Sequence, residues 1–127
     1  MGLDMYLGGC RFFVGSRKNE EGDTVSEERV ELGYWRKHPN LHGFIIETFA
    51  DGVDECQQIS LSQDDLETIY NAVQDNKLPH TTGFFFGESD GSKDERDYDL
   101  KVLHRSIEWL LVNNSDEYRT VVYQASW

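Results

Sequence analysis

The apolar pattern changes period at Pro39, and no other feature limits the fold as much. Residues 30–38 (VELGYWRKH) carry the Val, Tyr and Trp content of a strand. Beyond the proline, Leu41, Phe44, Ile45 and Phe49 fall at i, i+3, i+4 and i+8, one face of a 3.6-residue helix. Proline has no backbone donor and cannot continue a strand ladder, so Asn40 is expected to cap the following helix. A chain holding both periods must bury a strand face against a helical stripe.

The rest of the chain repeats the alternation. Residues 3–14 (LDMYLGGCRFFV) read as a strand that bends at Gly8-Gly9, or as two short strands. Residues 15–28 are polar and turn-rich and are expected to be an exposed loop between the two strands of a hairpin. Asp51-Gly52 ends the first helix, and residues 56–61 (CQQISL) form a short strand. Ser62 with Asp65 resembles a capping box ahead of Leu66, Ile69, Tyr70 and Val73, which predicts a second helix. Gly83-Phe84-Phe85-Phe86-Gly87 suggests a buried strand or packed turn. Leu100, Leu103, Ile107, Leu110 and Leu111 trace a third helix starting near Ser92 or Lys93, and residues 119–125 (RTVVYQA) read as a final strand. The 127 residues are about one domain's worth. The expectation is one α+β domain over 1–127, a mainly antiparallel sheet packed with about three helices.

Charge limits the partners. Acidic residues outnumber basic ones 24 to 12, for a net charge of −12, which argues against direct binding to a phosphate backbone. The excess concentrates in residues 51–75, where Asp51, Asp54, Glu55, Asp64, Asp65, Glu67 and Asp75 face no base in the same stretch. These acids read either as a solvated helix face with dipole-favoured residues at its start, or as a surface for a basic partner, including a protein whose nucleic-acid groove the chain would occupy as a DNA mimic. No run of about 20 apolar residues is present for a membrane span, and the start of the sequence lacks a signal-peptide pattern. Cytoplasmic placement is expected, with Cys10 and Cys56 reduced.

Candidate chemistry centres on Tyr34-Trp35-Arg36-Lys37-His38-Pro39-Asn40-Leu41-His42. On a strand, Tyr34 and Arg36 face one side while Trp35 and Lys37 face the other. His38 and His42 have metal-ligand spacing only on a continuous helix, which Pro39 interrupts, and no CxxC or HExxH supports zinc. No metal or other cofactor is expected. Cys56 follows Asp54-Glu55, whose charges disfavour a thiolate nucleophile. Nucleophile-elbow and phosphate-loop signatures are absent from the sequence. Asp4, inside an apolar stretch, requires a partner such as Arg36 or Arg11 if it is buried.

Taken in order, MGLDMYL, Tyr34 to Lys37 with Asn40-Leu41-His42, Asp54-Glu55-Cys56, and Leu78-Pro79 leading to Gly83–Gly87 resemble a family of short phage- and prophage-encoded proteins. Those proteins often carry a phosphoglycerate kinase label, which the short chain and missing phosphate loop do not support. The resemblance implies a non-enzymatic accessory protein that binds a host or phage protein, with nucleic-acid-handling or defence machinery as the target class. Asp51, Asp54, Glu55, Asp64, Asp65 and Glu67 are the expected contacts. The alternative is a small-molecule or catalytic pocket where Asp4, Tyr34, Arg36, His42, Cys56 and Phe85 converge. A third reading is self-association through an exposed edge of the C-terminal strand.

Overall fold

The computed structural model describes residues 2–82 and 87–127. Strand β1 (Asp4–Lys18) and strand β2 (Thr24–Arg36) form a hairpin, followed by helix α1 (Pro39–Phe49), strand β3 (Ile59–Leu61), helix α2 (Gln63–Gln74), helix α3 (Lys93–Leu111) and strand β4 (Glu117–Ser126). Among the described residues the strands make one antiparallel sheet in the order β2-β1-β4-β3. The architecture is α+β, as the mixed periods require.

Residues 15–28 are not the loop that their polarity predicted. β1 and β2 run through most of this stretch, pairing Arg17 with Val25 and Lys18 with Thr24. Only residues 19–23 turn, held by Asn19, whose side-chain oxygen accepts from the Glu21 and Asp23 amides at 3.0 Å each. β4 reaches no further along β1 than the pair Phe13–Glu117, so the hairpin continues past the sheet as a two-stranded arm. Solvated strands need no apolar alternation, and their composition therefore mimics a loop. β1 is one strand, with register shifts against β2 at Leu7/Gly8 and Phe12/Arg17.

Asn40 does not cap α1. Pro39 occupies the first turn, where its missing N–H costs nothing, and His38 is the N-cap without a side-chain cap bond. The hydroxyl of Ser89, far along the chain, accepts the Asn40 amide instead at 3.0 Å, while the Asn40 side chain accepts from the Thr81 amide at 2.9 Å. The capping box of α2 forms as the sequence indicates: the Ser62 hydroxyl accepts from the Asp65 amide (3.1 Å) and the Asp65 carboxylate from the Ser62 amide (2.9 Å). α3 begins behind Ser92, which accepts from the Glu95 amide. The expected strand at 56–61 shortens to Ile59–Leu61. The expectation for Gly83–Gly87 lies outside the described residues except at Gly87.

The core lies on one face of the sheet. Met5, Leu7, Val121, Tyr123 and Ala125 alternate inward along β1 and β4 and meet Leu41, Ile45, Leu66, Ile69 and Leu103 from the helices. Gly9 and Gly33 hold this layer close. A Cβ on Gly9 would stand 2.7 Å from the Trp109 ring, and one on Gly33 would collide with Val102. Both glycines are seats for α3. Among the described residues no helix is long and apolar enough to cross a membrane.

Candidate functional site

Two parts of the molecule hold chemistry that packing alone does not require. The first is a buried polar chain where β2 passes into α1. Trp35 lies on the face opposite Tyr34 and Arg36, as strand alternation predicts; that face is the inner one, and the Trp35 indole N–H donates to Asp99 Oδ1 on α3 at 2.6 Å. The other carboxylate oxygen of Asp99 meets His38 Nε2 at 2.7 Å, and His38 Nδ1 lies 2.7 Å from Ser89 Oγ. Asp99 and His38 are 1% and 3% exposed, while Ser89 is half-buried.

With a neutral imidazole at His38, hydrogen-bond accounting assigns the protons of this chain. Asp99 accepts on both oxygens, so Nε2 of a neutral His38 carries the hydrogen. Nδ1 then offers a lone pair, and the Ser89 hydroxyl, already accepting the Asn40 amide, donates its own hydrogen to it. A polar cavity of about 210 Å³ opens beside the chain, lined by His38, Asn40, Asn76, Lys93, Arg96 and Asp99 among others. Glu95 borders the same space; it accepts the Asp90 and Gly91 amides at 2.8 and 3.0 Å and lies 3.6 Å from His38 Nε2.

The second part is the sheet face turned away from the helices. Register places Tyr6 opposite Gln124, Gly8 opposite Val122, Cys10 opposite Thr120 and Phe12 opposite Tyr118 on this side. Tyr6, Phe12 and Tyr118 are 43%, 41% and 66% exposed, so among the described residues no layer covers them. Tyr6 packs on Tyr34 with ring centroids 5.3 Å apart, and Phe12 on Tyr118 at 6.4 Å. Gly8 has no side chain to fill the space between the two aromatic pairs. The resulting hollow of about 370 Å³ is floored by Gly8, Cys10 and Val122 and bounded by Arg29 on one side and Gln58 and Ser60 on the other. Burial, with a hydrogen bond to Glu27 at 3.4 Å, pushes the Cys10 thiol up and keeps it protonated.

The sequence-nominated residues separate. Asp4, Tyr34 and Arg36 do meet: the Tyr34 hydroxyl donates to Asp4 Oδ1 at 2.6 Å and Arg36 at 3.0 Å. The Tyr34 bond foremost, with Arg36 adding its charge against partial burial, holds the Asp4 carboxyl below the usual range and raises the Tyr34 phenol. His42 sits elsewhere, 1% exposed, between the Tyr123 hydroxyl at 2.6 Å and Asp54 at 2.9 Å. Burial and the Asp54 charge push the Tyr123 phenol well up. Cys56 lies in the loop before β3, where its carbonyl accepts from Gln124 at 2.9 Å. Neither cavity is lined by Asp4, Tyr34, Arg36, His42 or Cys56, and Phe85 lies outside the described residues. Both cysteines are free, and among the described residues no group of three or more His, Cys, Asp or Glu side chains is placed to hold a metal.

The acidic block also divides. Asp54 is engaged by His42 and by the Trp127 indole at 3.3 Å, and Asp65 closes the α2 cap. Asp51, with φ of 52°, shapes the turn after α1. Glu55, Asp64 and Glu67 remain exposed. β4 lies between β1 and β3, and β3 covers its outer side only at Val121–Tyr123, so the edge the self-association reading names is closed in its middle alone. The sequence reading missed Asp99, Ser89 and Glu95. A signal existed for Asp99: it sits at i, with Leu103 at i+4 and Ser106 at i+7, on the buried stripe of α3, and an acid there demands a buried partner.

No family model matches the chain, and no curated protein and no solved structure matches it.

Proposed function

We propose that this chain is a binding protein that takes a basic, apolar-faced segment of a host or phage protein on the open side of its sheet. The uncovered face carries this reading. Apolar and aromatic surface left bare around a hollow marks interaction sites, and two exposed tyrosines beside a phenylalanine are the residue types that dominate contact energy. Charge supplies the partner's sign. Glu27 and Glu31 flank Arg29 on β2 along one rim, with Glu27 3.7 Å from the Arg29 guanidinium, the Asp51–Glu55 loop leads to Gln58 and Ser60 on the other, and the whole chain carries −12. A second copy of the chain would meet its own charge, whereas a basic segment is drawn in. The resemblance to short phage proteins supports a target in nucleic-acid-handling or defence machinery, whose grooves are basic.

Titrating the labelled protein with a Leu- and Lys-rich amphipathic peptide tests this by amide shift mapping. Saturable shifts confined to Tyr6, Gly8, Phe12, Val122 and their neighbours, weakened by salt and lost in Tyr118→Lys, are expected. Shifts that do not saturate, or that centre on α2, overturn it. Glu55→Lys and Asp64→Lys should slow association while leaving the α2 cap intact; Asp65→Lys is unsuitable because it breaks that cap.

A further inference from the structure

We infer that Ser89 is an activated nucleophile, with His38 as its general base and Asp99 orienting the base, and that it attacks small acyl esters. The geometry has the three required links: a hydroxyl 2.7 Å from an imidazole nitrogen, a carboxylate 2.7 Å from the other nitrogen, and a proton inventory that directs the serine hydrogen onto the base. Such constellations are recognised by geometry and roles rather than by position in the chain. Here the serine meets Nδ1 and the carboxylate Nε2, the reverse of the usual assignment, and the logic of the relay is unchanged. Asp99 is itself fixed by the Trp35 indole at 2.6 Å. The imidazole thus cannot rotate without breaking bonds at both ends. Ser89 alone in the chain of groups is half-buried rather than enclosed, so an electrophile can approach it while its base stays buried.

The chemistry balances without any bound group. Ser89 Oγ bonds to the acyl carbon as its proton passes to His38 Nδ1, and Asp99 stabilises the imidazolium. The ester C–O bond then breaks, and the departing alcohol takes the proton from His38. Water attacks the acyl-serine with His38 again accepting the proton, the acid leaves, and Ser89 recovers its hydrogen. Ser89 is not in the wall of the adjoining cavity but bonds to His38 and Asn40, which are, so a substrate at Ser89 can extend into it. At about 210 Å³ it is smaller than the roughly 300–1,000 Å³ of drug-sized sites, which selects a short ester. Lys93 and Arg96 in its wall stand against Glu95 and Asp99, so with Asn40 and Asn76 the lining suits a polar ester of no net charge.

The probe is diisopropyl fluorophosphate, applied to the full chain and read by intact mass and peptide mapping. One adduct per folded chain is expected, mapped to Ser89, forming at least ten times faster than in urea and absent in Ser89→Ala. No adduct on Ser89 in the folded protein, or labelling at the unfolded rate, overturns the assignment. Ser89→Cys provides a reading that does not depend on the probe's electrophile. Its new thiol should react with iodoacetamide at least ten times faster than Cys56 of the same chain, and an equal or slower rate also overturns the assignment.

Discussion

The hydroxyl of Tyr98 occupies both main-chain groups of Tyr34, accepting the amide at 3.2 Å and donating to the carbonyl at 3.0 Å. A side chain on α3 thereby stands where a neighbouring strand would be, and closes the outer edge of β2 at that residue. Open edges are templates for pairing with other chains, and proteins block them with charge or cover. Glu27, Glu28 and Glu31 supply the charge further along β2, and Tyr98 supplies the cover. Tyr98→Phe should therefore cost little stability, about 1 kcal/mol, because water can reach the freed groups. Its larger effect should be self-association, measured by sedimentation velocity at raised concentration and salt. A variant that stays as monodisperse as the parent would remove Tyr98 from this role.

Asp99 is the most deeply buried carboxyl side chain among the described residues. Asp99→Ala leaves the Trp35 indole and His38 Nε2 without their carboxylate acceptor, for an expected loss of about 3 kcal/mol. Urea denaturation measures it, and the near-ultraviolet signal of Trp35 should change with it. A loss below about 1 kcal/mol would mean that the site admits solvent.

Asp4 links the surface to pH. Its folded carboxyl lies below its ordinary value of 3.8 because Tyr34 donates to it, with Arg36 alongside. A depressed folded value contributes stability that is fully present above the unfolded value and is lost as pH falls through the folded one. The loss attributable to Asp4 should thus occur below about pH 4. In Tyr34→Phe the carboxyl titration, followed by carbon NMR, should move up toward the ordinary value. An unchanged midpoint would assign the shift to Arg36 alone.

Gly9 sets the distance between β1 and α3. Gly9→Ala places a methyl group against Trp109, whose indole N–H is held by the Thr120 carbonyl at 3.1 Å and whose ring lies under the Arg119 guanidinium. The ring cannot shift freely, so overpacking of about 1–3 kcal/mol is expected. Trp109→Leu in the same chain should recover part of it, and a double-mutant cycle reads the coupling. Additive effects would place the two residues out of contact.

Local signals were legible in the sequence and distant ones were not. The Ser62–Asp65 box, the Pro39 boundary, the placing of Trp35 on the face opposite Tyr34 and Arg36, and an arginine partner for Asp4 follow from spacing or from the chemistry of a carboxylate in an apolar stretch. The solvated arm was misread because polar strands and polar loops share a composition. The Asn40 cap failed because Ser89 fills that role from 49 positions away. Distance also hid the Trp35–Asp99–His38–Ser89 chain, whose members lie on three separate segments, and the open sheet face, since alternation alone cannot say that a second layer is missing.

β4 follows every other strand in chain order, yet it lies between β1 and β3, and Asp4 at one end of the chain pairs with Ser126 at the other. A chain emerging from the ribosome therefore completes its hairpin and helices while the seam that joins β1 to β3 is still vacant. Until Glu117–Ser126 arrives, Leu7 lacks Tyr123 and Gly9 lacks Val121 across the ladder. Such long-range pairing is slow, because closure entropy is lost before contacts repay it. Synthesis thus passes through a stage in which the inner edge of β1 is bare, and a chaperone would find its hold there rather than on the edge that Tyr98 guards.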